Sequence, residues 1–434
     1  MTPQQEAEFL RRADALGHDR AALATGETVV SDLLLPSLEH GRFLSMADEA
    51  MRAIRRRHFF NPVILARLRI GQGVHDRCEA GAFAGCAVAE SDLAGLARHL
   101  PFHARALSVR RRVVATDSVW DVSVRGEAWG LDARDDVISV VNVGELVLRP
   151  GARLIVQGNL FFLLCQRIVG SDRPEPAGSY HIGILPTPFS VDAREGPLHG
   201  AGGGAGRPGT VGAPGRTPPT VPTLLGPRLV GAYLPQLQDG QAGGRGEDGS
   251  PGGAGRNGGA AKLAEITLRE VVGHVAILAA GGEGGHGGDG ADGGAGGTGG
   301  AGADGVDARQ ITIPPGKGGD GGDGGRGGDG GAGGSGGIAS NVYVLARTTD
   351  QGRIELRPLP AFGGPGGRAG AGGRGGAGGP PGSGGAAGAP GRNGDPGAPG
   401  RPGRDRPAPP MFLNEEPHTE EATQDARSPA PARA

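Results

Sequence analysis

The sequence predicts an α+β N-terminal part leading into a β-sheet or β-solenoid, with glycine-triplet helical tracts in the C-terminal half and a disordered C-terminal tail. Three observations carry this reading. Helical apolar spacing is confined to the first hundred or so residues. From Val109 onward, short apolar runs recur with turn residues between them. Between Gly200 and Gly403, glycine falls in a fixed phase of three. The chain has 434 residues, and most of its 89 glycines lie in that second half. An ordinary hydrophobic core is therefore expected in the first half only.

Residues 3–16 read as an amphipathic helix. Thr2 is a capping residue, and Phe9, Leu10, Ala13 and Leu16 share one face. A second helical pattern runs from about Met46 to His58, and Pro62 ends it. Its Arg55, Arg56 and Arg57 read as a solvated face turned toward acidic neighbours. Residues 63–100 look helical in pieces, interrupted by Gly71, Gly73, Gly81 and Gly85. At Trp120 the period becomes two: Trp120, Val122 and Val124 alternate with Asp121, Ser123 and Arg125, as in a half-buried strand. VISVVNV, ELVL, RLIV and LFFLLCQRIV follow, divided by turn signals at 149–151 and 157–159. Their spacing suits an antiparallel meander or the coils of a β-solenoid. Several runs are apolar on both faces, so cover is expected on both sides of the sheet.

Glycine occupies every third position from 200 to 215, 240 to 258, 281 to 305, 318 to 336 and 364 to 403, tracts one to five. Base composition can raise glycine content but cannot impose a phase. A three-residue period is that of an extended helix without internal hydrogen bonds. Its backbone donors must find partners elsewhere. A collagen triple helix needs one glycine per triplet. A bundle of polyglycine-II helices within one chain needs more, because a buried member has several neighbours. Tracts three and four have no proline and repeat Gly or Ala at a second position. One outward series is left: Glu283, His286, Asp289, Asp292 and Asp304, then Asp320, Asp323, Arg326 and Asp329. Strand-like segments at 264–280, 308–313, 340–347 and 352–359 separate the tracts, which are expected to leave the sheet and return. Tract five carries Arg368, Arg374, Arg392 and Arg401, so it is expected beside acidic tract three or four.

The end of tract five, GPPGSGGAAGAPGRNGDPGAPGRPGRD, resembles bacterial collagen-like proteins. Tracts three and four look like the polyglycine-II bundles of glycine-rich antifreeze proteins and phage tail-tip adhesins. The resemblance implies packed glycine-triplet helices in a structural or adhesive protein. The expected division is a helical region 1–108, a β-rich region 109–199, strands alternating with glycine tracts over 200–363, a collagen-like Gly-X-Y tract 364–403, and a disordered tail 404–434.

Formal net charge is −2, which argues against general attraction to nucleic acid or anionic lipid. Cys78, Cys86 and Cys165 give neither a disulfide framework nor a metal motif. No secretory signal and no run of ~20 apolar residues is seen, so the expected compartment is the cytoplasm, or the outside by a non-Sec route. Matches to GxGxxG follow automatically from a triplet repeat and lack a βαβ unit. Asp320, Asp323 and Asp329 lack the nine-residue period of calcium-binding repeats and read as solvated. GGRGG at Arg326 and Arg374 has no interleaved aromatics for base stacking. Asp117 with Asp121, and Asp132, Asp135 and Asp136, are the carboxylates to weigh for glycoside hydrolysis; His181 reads as packed. No catalytic, cofactor-binding or metal-binding residue is assigned, and no cofactor. The expected function is a structural or surface scaffold without catalysis. One alternative is an adhesin-like or carbohydrate-binding module using loops 216–239 or 348–363. A second is a β-solenoid polysaccharide-active enzyme. The sequence leaves the partner unknown: self-association, a glycan or another surface stays open.

Overall fold

The computed structural model describes residues 1–36, 42–59, 101–131, 137–188, 198–231, 234–308 and 311–418. Helices α1 (Pro3–Ala15), α2 (Arg20–Ala24) and α3 (Glu49–Phe59), with β1 (Thr28–Leu35), precede a series of coils. Thr2 caps α1 in a reciprocal pair with Gln5, and Phe9 and Ala13 are buried on its inner face. The coils are β2–β3 (Phe102–Val114, Val119–Asp121), β4–β5 (Val137–Leu148, Arg153–Gln157) and β6–β7 (Leu160–Val169, Ile182–Leu185). Beyond a hairpin, β8–β9 (Thr220–Thr223, Gly226–Leu229), come β10 (Ala264–Leu268), β11 (Val271–Val272) and β12 (Val275–Ala280). Beyond a second hairpin, β13–β14 (Val306–Ala308, Ile311–Ile313), come β15–β16 (Val342–Ala346, Ile354–Leu359), then β17 (Met411–Leu413) and β18 (Glu416–Pro417).

In each coil the chain crosses from one sheet to the other. The first sheet has nine strands, ordered β1-β2-β4-β6-β10-β15-β17-β18 with β11 beside β6; the second is β16-β12-β7-β5-β3. From β2 to β17, neighbours within each sheet run parallel, which excludes the antiparallel meander. Tight turns make the crossing. Gly151 sits at φ 70°, a conformation open to glycine without strain. Between the sheets lies a core that includes Val141, Phe161, Leu163, Ile266, Ile277 and Val344. A second cluster, with Leu16, Leu44, Ile138, Phe162, Tyr343 and Phe412, covers the outer face of the first sheet. That is why β4 and β6 are apolar on both faces.

The expected fold class is overturned. The molecule is mostly β-sheet: a mixed nine-stranded sheet and a parallel five-stranded one, with strands drawn from both halves of the chain. Described helices are few and short. Within the glycine tracts no residue is helical. The tail expected to be disordered from 404 includes β17, paired in parallel with β15. Its burial of Met411 and Phe412 explains why it is held. Residues 419–434 lie outside the described residues, as do 63–100.

The tracts run as six extended rods: 200–215, 240–258, 281–303, 316–337, 363–382 and 385–403. Tract five folds back at Gly384, where φ is 83°. Odd rods leave the second sheet and even rods return to the first. Rods 1, 3 and 5 are hydrogen-bonded in parallel. Thus Gly203, Gly206 and Gly209 donate to the carbonyls of Asp289, Asp292 and Ala295, and Gly287 and Gly290 donate to Pro365 and Arg368. Rods 2, 4 and 6 do the same. Successive rods are antiparallel, as in Gly294→Glu247, Gly325→Gly294 and Gly373→Gly325. The result is a two-layer slab in which each layer continues one sheet. Register is continuous too. Strands β10 and β15 pair residues 78 apart, as do rods 2 and 4.

The two layers touch backbone to backbone, so there is no room for Cβ. A methyl at Gly294 would fall 1.9 Å from the Arg207 carbonyl oxygen, and one at Gly325 would fall 1.9 Å from that of Glu247. The obstacle is fixed backbone. Gly294→Ala or Gly325→Ala is therefore expected to cost more than about 2 kcal/mol. Ala295→Ser, one position on and exposed, should stay within about 0.5 kcal/mol. Urea unfolding of the full chain checks both.

Candidate functional site

Each triplet of an interior rod uses two N–H groups for its neighbours. The third points out of the slab and would be left to water. Side chains of the preceding rod in the same layer take many of these. Asp289 and Asp292 of rod 3 accept the backbone N–H of Arg368 and Ala371 of rod 5 at 2.6 and 2.7 Å. Asp304 accepts both the N–H and the hydroxyl of Ser383 at 2.8 Å. In the other layer, Asp320, Asp323 and Asp329 of rod 4 serve Ala389, Arg392 and Ala398 of rod 6. Asp239 just before rod 2, and Asp248 and Asn257 within it, serve Lys317, Arg326 and Ser335 of rod 4. Tract five does lie beside tracts three and four, but the carboxylates meet peptide N–H groups there. The ion pairs within the slab run along one rod: Arg245–Asp248, Lys317–Asp320 and Arg326–Asp329.

Composition follows position in the slab. In rods 1 to 4 the donor to the next rod of the same layer is glycine at every triplet. Rod 6 has no such neighbour. Its equivalent positions include Pro390, Pro396, Pro399 and Pro402. Proline has no N–H and blocks the edge. The Gly-X-Pro composition of residues 388–403 is thus that of an edge rod. Rod 5 donors nearest this edge are partly covered, Gly363 by Asp405 and Gly375 by Asn393.

The slab ends in hairpins β8–β9 and β13–β14, far from the coils. Leu224 at the β8–β9 turn is fully exposed and Leu225 is 66 % exposed. Val221, Val230, Leu234, Leu237 and Ile311 are also exposed around them. Loop 348–363 lies at the opposite end, forming the turn into β16 and the start of rod 5.

At the other end, Arg55 corrects a sequence expectation. It is wholly buried rather than solvated. Its Nη1 lies 2.6 Å from Glu265 on β10, and its Nη2 lies 2.7 Å from Glu415 beyond β17. The guanidinium sits 4.4 Å from the centre of the Tyr343 ring, which stacks on Phe412. One side chain of α3 therefore ties the N-terminal helices to two late strands. Local spacing gave no signal for this, since the neighbouring apolar Ile54 is itself exposed.

The other residues singled out are dispersed. Asp121 accepts the Ser123 N–H at 2.8 Å, and the Asp117 backbone lies at φ 55° in the turn after β2. Asp132, Asp135 and Asp136 lie outside the described residues. His181 is buried, accepts the Ala276 N–H at 3.1 Å through Nδ1, and lies 3.4 Å from Glu175. Burial depresses its pKa. Cys165 is buried and its thiol is pushed up to about 12 by that burial; Cys78 and Cys86 lie outside the described residues. Among the described residues no group of three or more His, Cys, Asp and Glu is placed for a metal ion. No described helix is long and apolar enough to cross a membrane. No family model, curated protein or solved structure matches this chain.

Two outcomes follow. Asp304, Asp320 and Asp329 have carboxyl pKa values held below the ordinary 3.8, chiefly by the backbone N–H groups of Ser383, Ala389 and Ala398. A depressed pKa contributes stability above the unfolded value, and that stability is lost as pH falls through the folded one. The melting temperature should fall as pH drops below 3.8. The triple variant Asp304→Ala, Asp320→Ala, Asp329→Ala should lose less over the same interval. Separately, Arg55→Ala leaves Glu265 and Glu415 buried around a lost cation, and should destabilise the chain by about 3–5 kcal/mol. Chemical denaturation measures this, with Arg55→Lys expected between parent and alanine.

Proposed function

We propose that this protein is a structural surface scaffold in which the glycine slab is a stiff spacer between the coiled base and the distal hairpins. The observation that carries this reading is the lattice of inter-rod hydrogen bonds of 2.7–3.1 Å, continuous in register with the sheets. Twenty residues of extended chain span on the order of 60 Å, and cross-linking each rod to two, three or four others suppresses bending. Proline on rod 6 limits lateral growth, which suits a discrete spacer. A second reading, recognition by loop 216–239, is favoured by its exposed leucines and its place at the end of the spacer.

Hydrogen exchange on the full chain tests the scaffold. The amides of 284–302 and 319–337 that donate between rods should exchange slowly and together. Exchange at free-peptide rates would reject the spacer.

A further inference from the structure

We propose that the distal hairpins dock on an anionic lipid bilayer, with Leu224 and Leu225 entering the interface. This rests on the reading that the rods hold the hairpins away from the coils. Exposure of the two leucines is built rather than incidental. Thr223 Oγ1 donates to the Gly226 carbonyl at 2.6 Å, and β8 and β9 pair through four residue couples, from Thr220↔Leu229 to Thr223↔Gly226. The turn is thereby held with adjacent apolar side chains at its apex. Val221, Val230, Leu234 and Leu237 follow on the same loop, and Ile311 stands on the neighbouring hairpin, all substantially exposed.

Charge selects the surface. The whole chain has 46 acidic and 44 basic residues, yet no Asp or Glu occurs from Thr217 to Gln238. The charge within that stretch is Arg228; Arg216 stands just before it, and Asp239, whose carboxylate accepts the Lys317 N–H at 2.7 Å, just after it. Net charge of the chain does not decide attraction at the apex, because screening limits each charge to a range of about 8 Å. A cleft of about 660 Å³ flanks the apex, lined by Leu225, Leu229, Ala308 and Ile311 with Thr223 and Arg228. Insertion of the leucines would set this cleft at headgroup depth, with apolar walls toward the acyl chains and the guanidinium toward a phosphate. Asp307, on the adjoining wall, is engaged by the Thr312 hydroxyl at 2.9 Å.

Flotation of the full-length protein tests this with two kinds of vesicle, phosphatidylcholine doped with phosphatidylserine and phosphatidylcholine alone. The parent should float with the doped vesicles and much less with the others. Leu224→Asp with Leu225→Asp should lower binding at least about tenfold at an unchanged melting temperature, since both side chains are exposed. Arg228→Glu should weaken binding and reduce its salt dependence. Docking is overturned if the parent floats with neither vesicle, or if the double variant floats as well as the parent. It is equally overturned if the leucines drive a defined oligomer in sedimentation without vesicles. Equal flotation on both vesicles overturns the anionic assignment. Slow exchange in the rods without flotation rejects the docking alone, whereas fast exchange rejects the spacer itself.

Discussion

The structure depends on how closely two layers can approach when every third residue along each rod has no side chain. In the coils, the layers are held apart by side chains such as Phe161, Ile266 and Ile277, at a spacing of the ordinary ~10 Å between stacked sheets. Beyond the coils the same two layers close to backbone contact. There, burial of apolar area gives way to satisfied peptide groups. Because an unsatisfied buried N–H costs about 1–3 kcal/mol, the slab is stable only if donors and acceptors match triplet by triplet. The coils supply that match. They fix the register of each rod where it joins a sheet, and the same offset of 78 residues appears in strands and rods alike.

The outward aspartates extend the same accounting. Where rod 3 offers Asp289 or Asp292, rod 5 presents an N–H to receive it. Where rod 3 offers His286 or Ala301, the corresponding rod 5 residues are Pro365 and Pro380, which have no N–H to satisfy. Charge on the slab faces thus serves hydrogen bonding first, and at Asp304, Asp320 and Asp329 a backbone N–H is the chief cause of a lowered carboxyl pKa.

Edges are handled differently at the two sides. Rod 6 ends its layer with proline. On the other side, rods issue only from the last three coils, so the coils of β2 to β5 project past rod 1. In the first sheet, β1 and β18 pair antiparallel with the outermost parallel strands. Arg55 then ties the N-terminal helices to the late strands through Glu265 and Glu415, residues 210 and 360 positions away.

The sequence by itself determined the local terms. Thr2, with Phe9, Leu10, Ala13 and Leu16 on one face, announces α1. The alternation around Trp120 announces a half-buried strand. Glycine in phase announces segments that must bond laterally, because bare extended chain cannot bond to itself. It also placed tract five beside three or four, for a reason that proved only partly right: the acids meet peptide groups, which no charge count reveals. Only the tertiary structure decided that the strands are parallel, that tract five is two rods, that Met411–Leu413 belongs to the sheet, and that Arg55 is buried. Each of these depends on partners tens to hundreds of residues away, and local spacing carries no record of which distant donor will meet which acceptor. The exposed leucines of the tip were legible as apolar residues, but their exposure was not, since burial is a property of the neighbours.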